Sequence, residues 1–293
     1  MIALELIAWP YQDGRADFRM GRGATVLADD TQLHSLLRAQ GSKVSVQRVA
    51  AVDENRPEVA RVIELDRRLA RQVRRARDRG AFPLVLAGNC NSCLGTVAGV
   101  GPDGLGVVWF DAHADFDTPE DNVSGFLDVM GLAILTGTGW QALARTIPGF
   151  APIAERNVVL AGVRDVEPYQ RARLQNAAIR TAPGAFGADR LEDELDRLRP
   201  DVERVYLHLD LDALDTSVGH ANEYAAVGGP TSEMLLHAIG AVFERFRVEA
   251  AAVTAYDPSY DTDGRIAATA RDLIAAIARG AAAQCREQAL PRR

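Results

Sequence analysis

Residues 106 to 117 read GVVWFDAHADFD. A β-rich apolar run, Gly106–Phe110, stops at an aspartate, and every second residue after it carries a carboxylate or an imidazole: Asp111, His113 and Asp115. A strand with no polar position is buried on both faces, which is the condition of a parallel sheet covered on both sides. In an extended or tightly looped segment alternate residues point the same way, so two carboxylates and a histidine converge on one point.

The same grammar recurs outward from this stretch. Strand-like runs stand at Ala3–Ala8, Pro83–Leu86, Asn157–Ala161, Val205–Leu209 and Ala251–Ala255. Between them lie helical patterns at Asp30–Gln40, Pro57–Gly80, Met130–Leu135, Tyr169–Gln175, Ala188–Arg197, Thr231–Phe246 and Thr269–Gln284. Alternating strands and helices predict an α/β fold of three layers, a mostly parallel sheet with helices on both faces. No repeat, linker or composition break divides the chain, so residues 1–293 are expected to form a single α/β domain. Ligands in such sheets sit at the carboxyl ends of the strands. Polar and acidic groups gather there: NCNSC after the Pro83 run, VRDVE after the Asn157 run, DLDALD after the Val205 run, YDPSYD after the Ala251 run.

The bulk composition excludes several classes. With 293 residues, 47% of them apolar, the chain can bury a large core. A net charge of −7 argues against nucleic acid as a partner, because phosphate binding calls for a basic face. The basic stretch RRLARQVRRARDR (67–79) is read as the solvated side of an amphipathic helix whose apolar side carries Val59, Val62, Ile63, Leu69 and Val73. Three cysteines make no disulfide framework. No basic leader precedes the first apolar run, and no run approaches the roughly 18 residues a membrane helix needs. These features predict a cytoplasmic protein without membrane contact.

Asp210-Leu-Asp212 repeats the Asp111–Asp115 arrangement at another strand end. Four carboxylates so close repel one another unless cations neutralise them, and two divalent metals bridged by shared carboxylates resolve the conflict and activate a water. Asp103 and Asp215, taken singly, read as ordinary loop acids or helix caps. Cys90 and Cys93, in LVLAGNCNSCLG (84–95), admit a dithiol or a metal reading. The nearby acids would raise the thiol pKa and no other redox feature is present, so Cys93 reads as a packed side chain.

The pieces DAHAD (111–115), Ser124-Gly-Phe-Leu127, DLDALD (210–215) and Pro258-Ser-Tyr-Asp261 together resemble the ureohydrolases, the family of arginase, agmatinase and formimidoylglutamase. Gly14, Gly21-Arg-Gly23, Gly162-Val-Arg-Asp-Val-Glu167 and Gly228-Gly229 suit the same pattern. The resemblance implies an arginase-like fold, two Mn2+ per chain, and attack of a metal-bridging hydroxide on the carbon of a small linear amidine or guanidine. It also implies that Asp111 and Asp210 bridge the metals, that His113 and Asp212 complete one, and that Asp115 helps hold the other and serves the catalytic centre. By the same analogy the chain would assemble as a homo-oligomer, a trimer or a hexamer.

The departures from the pattern bear on chemistry. The family's G-G-D-H reads Ala87-Gly88-Asn89-Cys90, so Cys90 stands at a metal position, where a thiolate favours zinc, iron or copper over manganese. Asp128 occupies the place of the arginase proton-shuttle histidine and is the candidate proton carrier. Phe126 replaces an asparagine that helps hold the substrate carboxylate. The family's E-V-N-P becomes Ala255-Tyr-Asp257-Pro258, which removes the glutamate that pairs with the guanidinium; Asp257 is a partial substitute. Glu167 stands where the family contacts the substrate's α-amino group, and Asn222, within His220-Ala-Asn-Glu-Tyr224, is a further substrate-contact candidate. His208, mid-strand, reads as a satisfied core histidine. A missing anchor suits a guanidine made less basic by an N-hydroxyl, and the chain is similar to the Nω-hydroxy-L-arginine amidinohydrolases, with cysteine at the same metal position. The competing readings are a non-catalytic metal-binding relative, another amidine such as arginine, agmatine or formimidoylglutamate, and phosphoester hydrolysis, which lacks its glycine-rich cradle here.

Overall fold

The computed structural model describes residues 2–288. The chain runs through β1 (Ile2–Trp9), a small hairpin of β2 (Tyr11–Gln12) and β3 (Arg15–Ala16), then α1 (Met20–Ala28), α2 (Thr31–Ala39) and β4 (Ser42–Arg48). It continues through α3 (Glu58–Asp78), β5 (Ala81–Ala87), α4 (Cys93–Val100), β6 (Leu105–Phe110), α5 (Gly131–Leu135), α6 (Gln141–Ala144) and β7 (Val158–Ala161). The last part comprises α7 (Pro168–Asn176), β8 (Arg180–Ala182), α8 (Ala188–Leu198), β9 (Arg204–Asp210), α9 (Ser232–Arg245), β10 (Arg247–Thr254) and α10 (Arg265–Gln288).

Eight strands form one sheet in the order β4-β1-β5-β10-β9-β6-β7-β8, and every pairing in it is parallel. Successive strand residues feed opposite layers, as the period of two requires. Val108 and Phe110 pack into a core shared with α1, α2, α8, α9 and α10, whereas Val107 and Trp109 pack into a second core with α3, α4 and α5. This is the predicted three-layer arrangement. Among the described residues no helix is long and apolar enough to cross a membrane.

Seven elements escaped the pattern reading (the hairpin strands β2 and β3, β4, β8, α1, α4 and the four-residue α6), and Ala255 falls outside the strand expected to contain it. β4 is the edge strand SKVSVQR, half-exposed and polar, and β8 has three residues. α1 and α4 carry interior glycines, which weaken a helix signal by about 1 kcal/mol each. The glycines serve close packing: a Cβ on Gly23 would lie 1.8 Å from the Tyr256 carbonyl oxygen, and one on Gly95 would lie 2.7 Å from the Asp66 carbonyl oxygen. β10 ends at Thr254, and Ala255 turns away with φ +61°. The arginines of α3 lie on its solvated side as expected, none of them buried, and Arg68, Arg74 and Arg77 also donate to the carbonyls of Ala51, Ala98 and Val100.

The sheet order places the site. From β5 the chain crosses to β6 and grows outward through β7 and β8, then β9 and β10 return to fill the gap. The carboxyl ends of β5, β10, β9 and β6 therefore stand side by side at the point where the strand order reverses, where a parallel sheet opens a crevice.

Candidate metal centre and active site

Asp111 follows the last residue of β6, and Asp210 ends β9. Each folds the chain back on itself through its own side chain. Asp111 Oδ1 accepts from the backbone N–H of His113 at 2.7 Å, and Asp210 Oδ1 accepts from that of Asp212 at 2.8 Å. A carboxylate that caps the residue two positions on is an Asx turn, and here it brings alternate side chains to the same spot. Two donor groups result, with ligand atoms within 4.8 Å of one another: Cys90–Asp111–Asp210 and Asp111–His113–Asp212. Asp111 belongs to both. His113 Nδ1 lies 3.3 Å from Asp111 Oδ1 and 3.5 Å from Asp212 Oδ2.

The electrostatics of this cluster disfavour bare carboxylates and suit cations. Burial pushes the carboxyls of Asp210 and Asp115 well above the ordinary range, and neighbouring aspartates push further. Burial and Asp212 also raise Asp111. Burial, with Asp210 next in weight, drives the Cys90 thiol up. Burial opposes ionisation of Asp212, yet His113 and the Asn222 amide outweigh it and hold Asp212 at about 2. Asp115 sits at φ +46° with Oδ2 buried and without a hydrogen-bond partner. It joins neither donor triad. An orphaned carboxylate oxygen beside two oxygen-rich triads fits a pair of divalent ions. The lone sulfur is softer than the rest of that donor set.

A supporting layer lies beneath the acids. Trp109 Nε1 donates to Asp111 Oδ2 at 2.9 Å, and its ring stacks on His208 at 3.6 Å between centroids. The Thr254 hydroxyl stands 3.2 Å from Cys90 Sγ and 3.3 Å from both Asp210 Oδ2 and His208 Nε2. Sequence reasoning missed Trp109 and Thr254, because an apolar run reports burial and says nothing about which polar atom meets another strand. His208 is a fully buried core histidine, with burial holding its pKa down to about 3, but it also touches this layer.

The remaining candidates are spread around the crevice. Asp128 is buried on the Cys90 side; its carboxylate accepts from Asn89 Nδ2 at 2.7 Å and from Asn91 N at 2.8 Å. Burial raises it to about 7 despite those donors. Asn222 is buried, donating to Asp212 Oδ2 at 3.1 Å and to the Ala255 carbonyl at 2.8 Å. Asp257 Oδ1 is engaged by the N–H and hydroxyl of Ser259 at 3.0 and 2.7 Å. Glu167 is exposed at the start of α7. Phe126 stacks on Tyr224 at 5.8 Å, and Tyr224 meets the His113 ring edge-on at 6.3 Å, so an aromatic pair stands beside His113. Cys93 is buried against the Gly131 carbonyl, as a packed side chain would be.

Two features hold the frame. Arg164 donates to six carbonyls, those of Gly162, Asp212, Ala213, Leu214, Ala226 and Val227. Asp215 is a loop acid, as expected; it accepts from the N–H groups of Ser217, Gly228 and Gly229.

A parallel sheet whose central strand ends carry two donor triads sharing one aspartate has the make-up of a binuclear metal centre. The chain belongs to the arginase family, whose profile it matches over residues 12–279. Members of that family hydrolyse C–N bonds of linear amidines at a binuclear divalent metal site, and this chain is one of those hydrolases. Its sequence is 32% identical to the arginase of Bacillus caldovelox over 225 residues, 74% of this chain and 75% of that protein. Its fold superposes on the crystal structure of arginase from Bacillus subtilis with a TM-score of 0.81 at 27% identity, covering 94% of this chain and 98% of the other. The formimidoylglutamase of Bacillus subtilis shares the fold at TM-score 0.72 and 14% identity, over 96% of this chain and 87% of that one.

Proposed function

We propose that this hydrolase acts on an N-hydroxyguanidine of an amino acid, with Nω-hydroxy-L-arginine as the reference substrate, releasing hydroxyurea. The observation that carries this reading is Ala255. Where the family resemblance implies a guanidinium-pairing glutamate, a buried methyl stands, and its carbonyl is taken by Asn222. Asp257, the nearest replacement along the chain, has one carboxylate oxygen committed to Ser259. A pocket without that anion favours a less basic guanidine, which needs less charge pairing on burial.

Cys90, Asp111, His113, Asp115, Asp210 and Asp212 would hold two divalent ions, manganese by family habit, with zinc or another soft metal favoured at the triad that contains Cys90. Such a pair supplies the Lewis acidity that turns water into a nucleophile at neutral pH. The chain's own groups do the rest. Asp128, aimed by Asn89 and the Asn91 N–H, carries a proton between its buried carboxyl and the reacting nitrogen. Phe126 and Tyr224 narrow the mouth beside His113 and limit water entry. Glu167 faces solvent where it can meet an α-amino group, which favours an amino-acid substrate.

The deciding experiment compares kcat/KM of the metal-loaded protein on Nω-hydroxy-L-arginine, arginine, agmatine, guanidinobutyrate and formimidoylglutamate. Preference for the hydroxylated guanidine by tenfold or more is expected. Equal turnover of arginine would overturn the argument from Ala255.

A further inference from the structure

We propose that Tyr206, His208 and Thr254 form a one-way hydrogen-bond relay that delivers a donor to Cys90 and Asp210, adapting the centre to a sulfur ligand. Tyr206 and His208 alternate on β9 and so share a face. Thr254 ends the neighbouring strand β10 and pairs in register with Asp210. The Tyr206 hydroxyl lies 2.7 Å from His208 Nδ1, and His208 Nε2 lies 3.3 Å from Thr254 Oγ1. Thr254 Oγ1 in turn lies 3.2 Å from Cys90 Sγ and 3.3 Å from Asp210 Oδ2. All five residues are buried, so no bulk water completes their hydrogen bonds.

The direction follows from donor and acceptor capacity. An ionised Asp210 only accepts, and so does a Cys90 sulfur that ligates a cation. Thr254 has a single proton to give. If His208 carried its proton on Nδ1, Nε2 would claim the Thr254 proton, and the sulfur and carboxylate would face oxygen lone pairs. With the proton on Nε2 the chain runs one way: Tyr206 donates to Nδ1, Nε2–H donates to Thr254, and Thr254 directs its one proton into the site, between Cys90 Sγ and Asp210 Oδ2. Trp109, in register with His208 on β6 and stacked at 12° to it, holds the imidazole plane in the orientation the relay needs. Outer groups of this kind orient ligands and tune the metal, and their loss usually weakens metal affinity or activity by about 10- to 100-fold. Thr254 and His208 are positioning residues, since they act through Cys90 and Asp210.

The inference rests on the metal-site assignment above, so its tests are spectroscopic and do not require turnover. In the zinc-loaded protein, 15N NMR of the His208 imidazole is expected to show Nε2 protonated and Nδ1 bare. The opposite tautomer overturns the relay. In the cobalt-loaded protein, Thr254→Val is expected to shift the sulfur-to-cobalt charge-transfer band to lower energy and weaken cobalt binding by about 10- to 100-fold, with Thr254→Ser restoring both. A band that does not move in Thr254→Val overturns the relay. A protein lacking that band altogether overturns it by removing Cys90 from the ligands. A silent substrate panel with the Nε2–H tautomer in place would count against the substrate alone.

Discussion

Cys90 Sγ lies 2.8 Å from Asp210 Oδ2, donating from a 3-10 turn beyond β5 to the terminal residue of β9. Strands so far apart in the chain meet only because β10 and β9 return between β5 and β6. With the sulfur ionised, this pair would offer one soft and one hard donor to an ion placed between them. Cys90→Ser is therefore expected to lower the ratio of zinc to manganese affinity by tenfold or more, read by competitive metal titration. An unchanged ratio would mean that the sulfur stays off the metal.

The indole N–H of Trp109 is the protein donor that holds Asp111 Oδ2 in place. Trp109→Phe keeps the ring but strips that donor. The loss of a donor to a buried charged group costs about 1–3 kcal/mol. Both triads contain Asp111, so weaker binding of both ions is expected, measurable as two shifted steps in a calorimetric metal titration. A shift in one step alone would show that Asp111 serves one ion.

Arg164→Ala should be the most damaging substitution outside the acid cluster. It abandons six carbonyls, three of which (Asp212, Ala213 and Leu214) shape the turn carrying Asp212. Each buried carbonyl left unpaired costs about 1 kcal/mol or more, so a loss of at least about 3 kcal/mol is expected in urea unfolding. Arg164→Lys, with fewer donors, should recover only part. Full stability in the alanine variant would show that water replaces the guanidinium.

Asp215 supplies a test in pH. Its hydrogen bonds, led by Ser217, hold its carboxyl at about 2, below the ordinary 3.8. A carboxyl depressed on folding adds stability that is complete above about pH 4 and drains away as pH falls toward 2. Because the group is partly solvated, about 1 kcal/mol is expected rather than the full value of the shift. Acid unfolding of Asp215→Asn should thus lose the part of its slope between pH 4 and pH 2 that the native protein shows. Identical acid limbs would refute the assignment.

Ala255→Glu would place an anion at the bare anchor. The kcat/KM ratio of arginine to Nω-hydroxy-L-arginine should rise by tenfold or more if charge pairing is what the native pocket lacks. The site is buried, so near-ultraviolet circular dichroism must first show a native fold. A folded variant with an unchanged ratio would place the basis of substrate choice elsewhere, at Phe126 or Tyr224.

Much of this protein is legible in one dimension. Uninterrupted apolar runs ending in acids, such as Val205–Leu209 before DLDALD, announce strands buried on both faces and mark their carboxyl ends, because burial and side-chain alternation are local consequences of residue type. The i, i+2 spacing of Asp111 and His113 and of Asp210 and Asp212 likewise foretells that these side chains converge, though the Asx turns that achieve it, and the separate place of Asp115, appear only in the structure. The edge strand β4, the three residues of β8 and the glycine-bearing α1 and α4 were not legible, since their helical or extended state is imposed by neighbours. The Tyr256 carbonyl can lie against α1 only because Gly23 has no Cβ.

What the chain's order of residues determined by itself was the set of donors and the sheet that carries them. What the tertiary structure alone decided is which donors come together and what stands behind them. Cys90, Asp210 and Thr254 lie at three separate strand ends, and only the return of β9 and β10 into the sheet brings their atoms within 3.3 Å. A local pattern specifies which face a side chain occupies, whereas hydrogen bonding acts over a few ångströms between segments that only the fold can join.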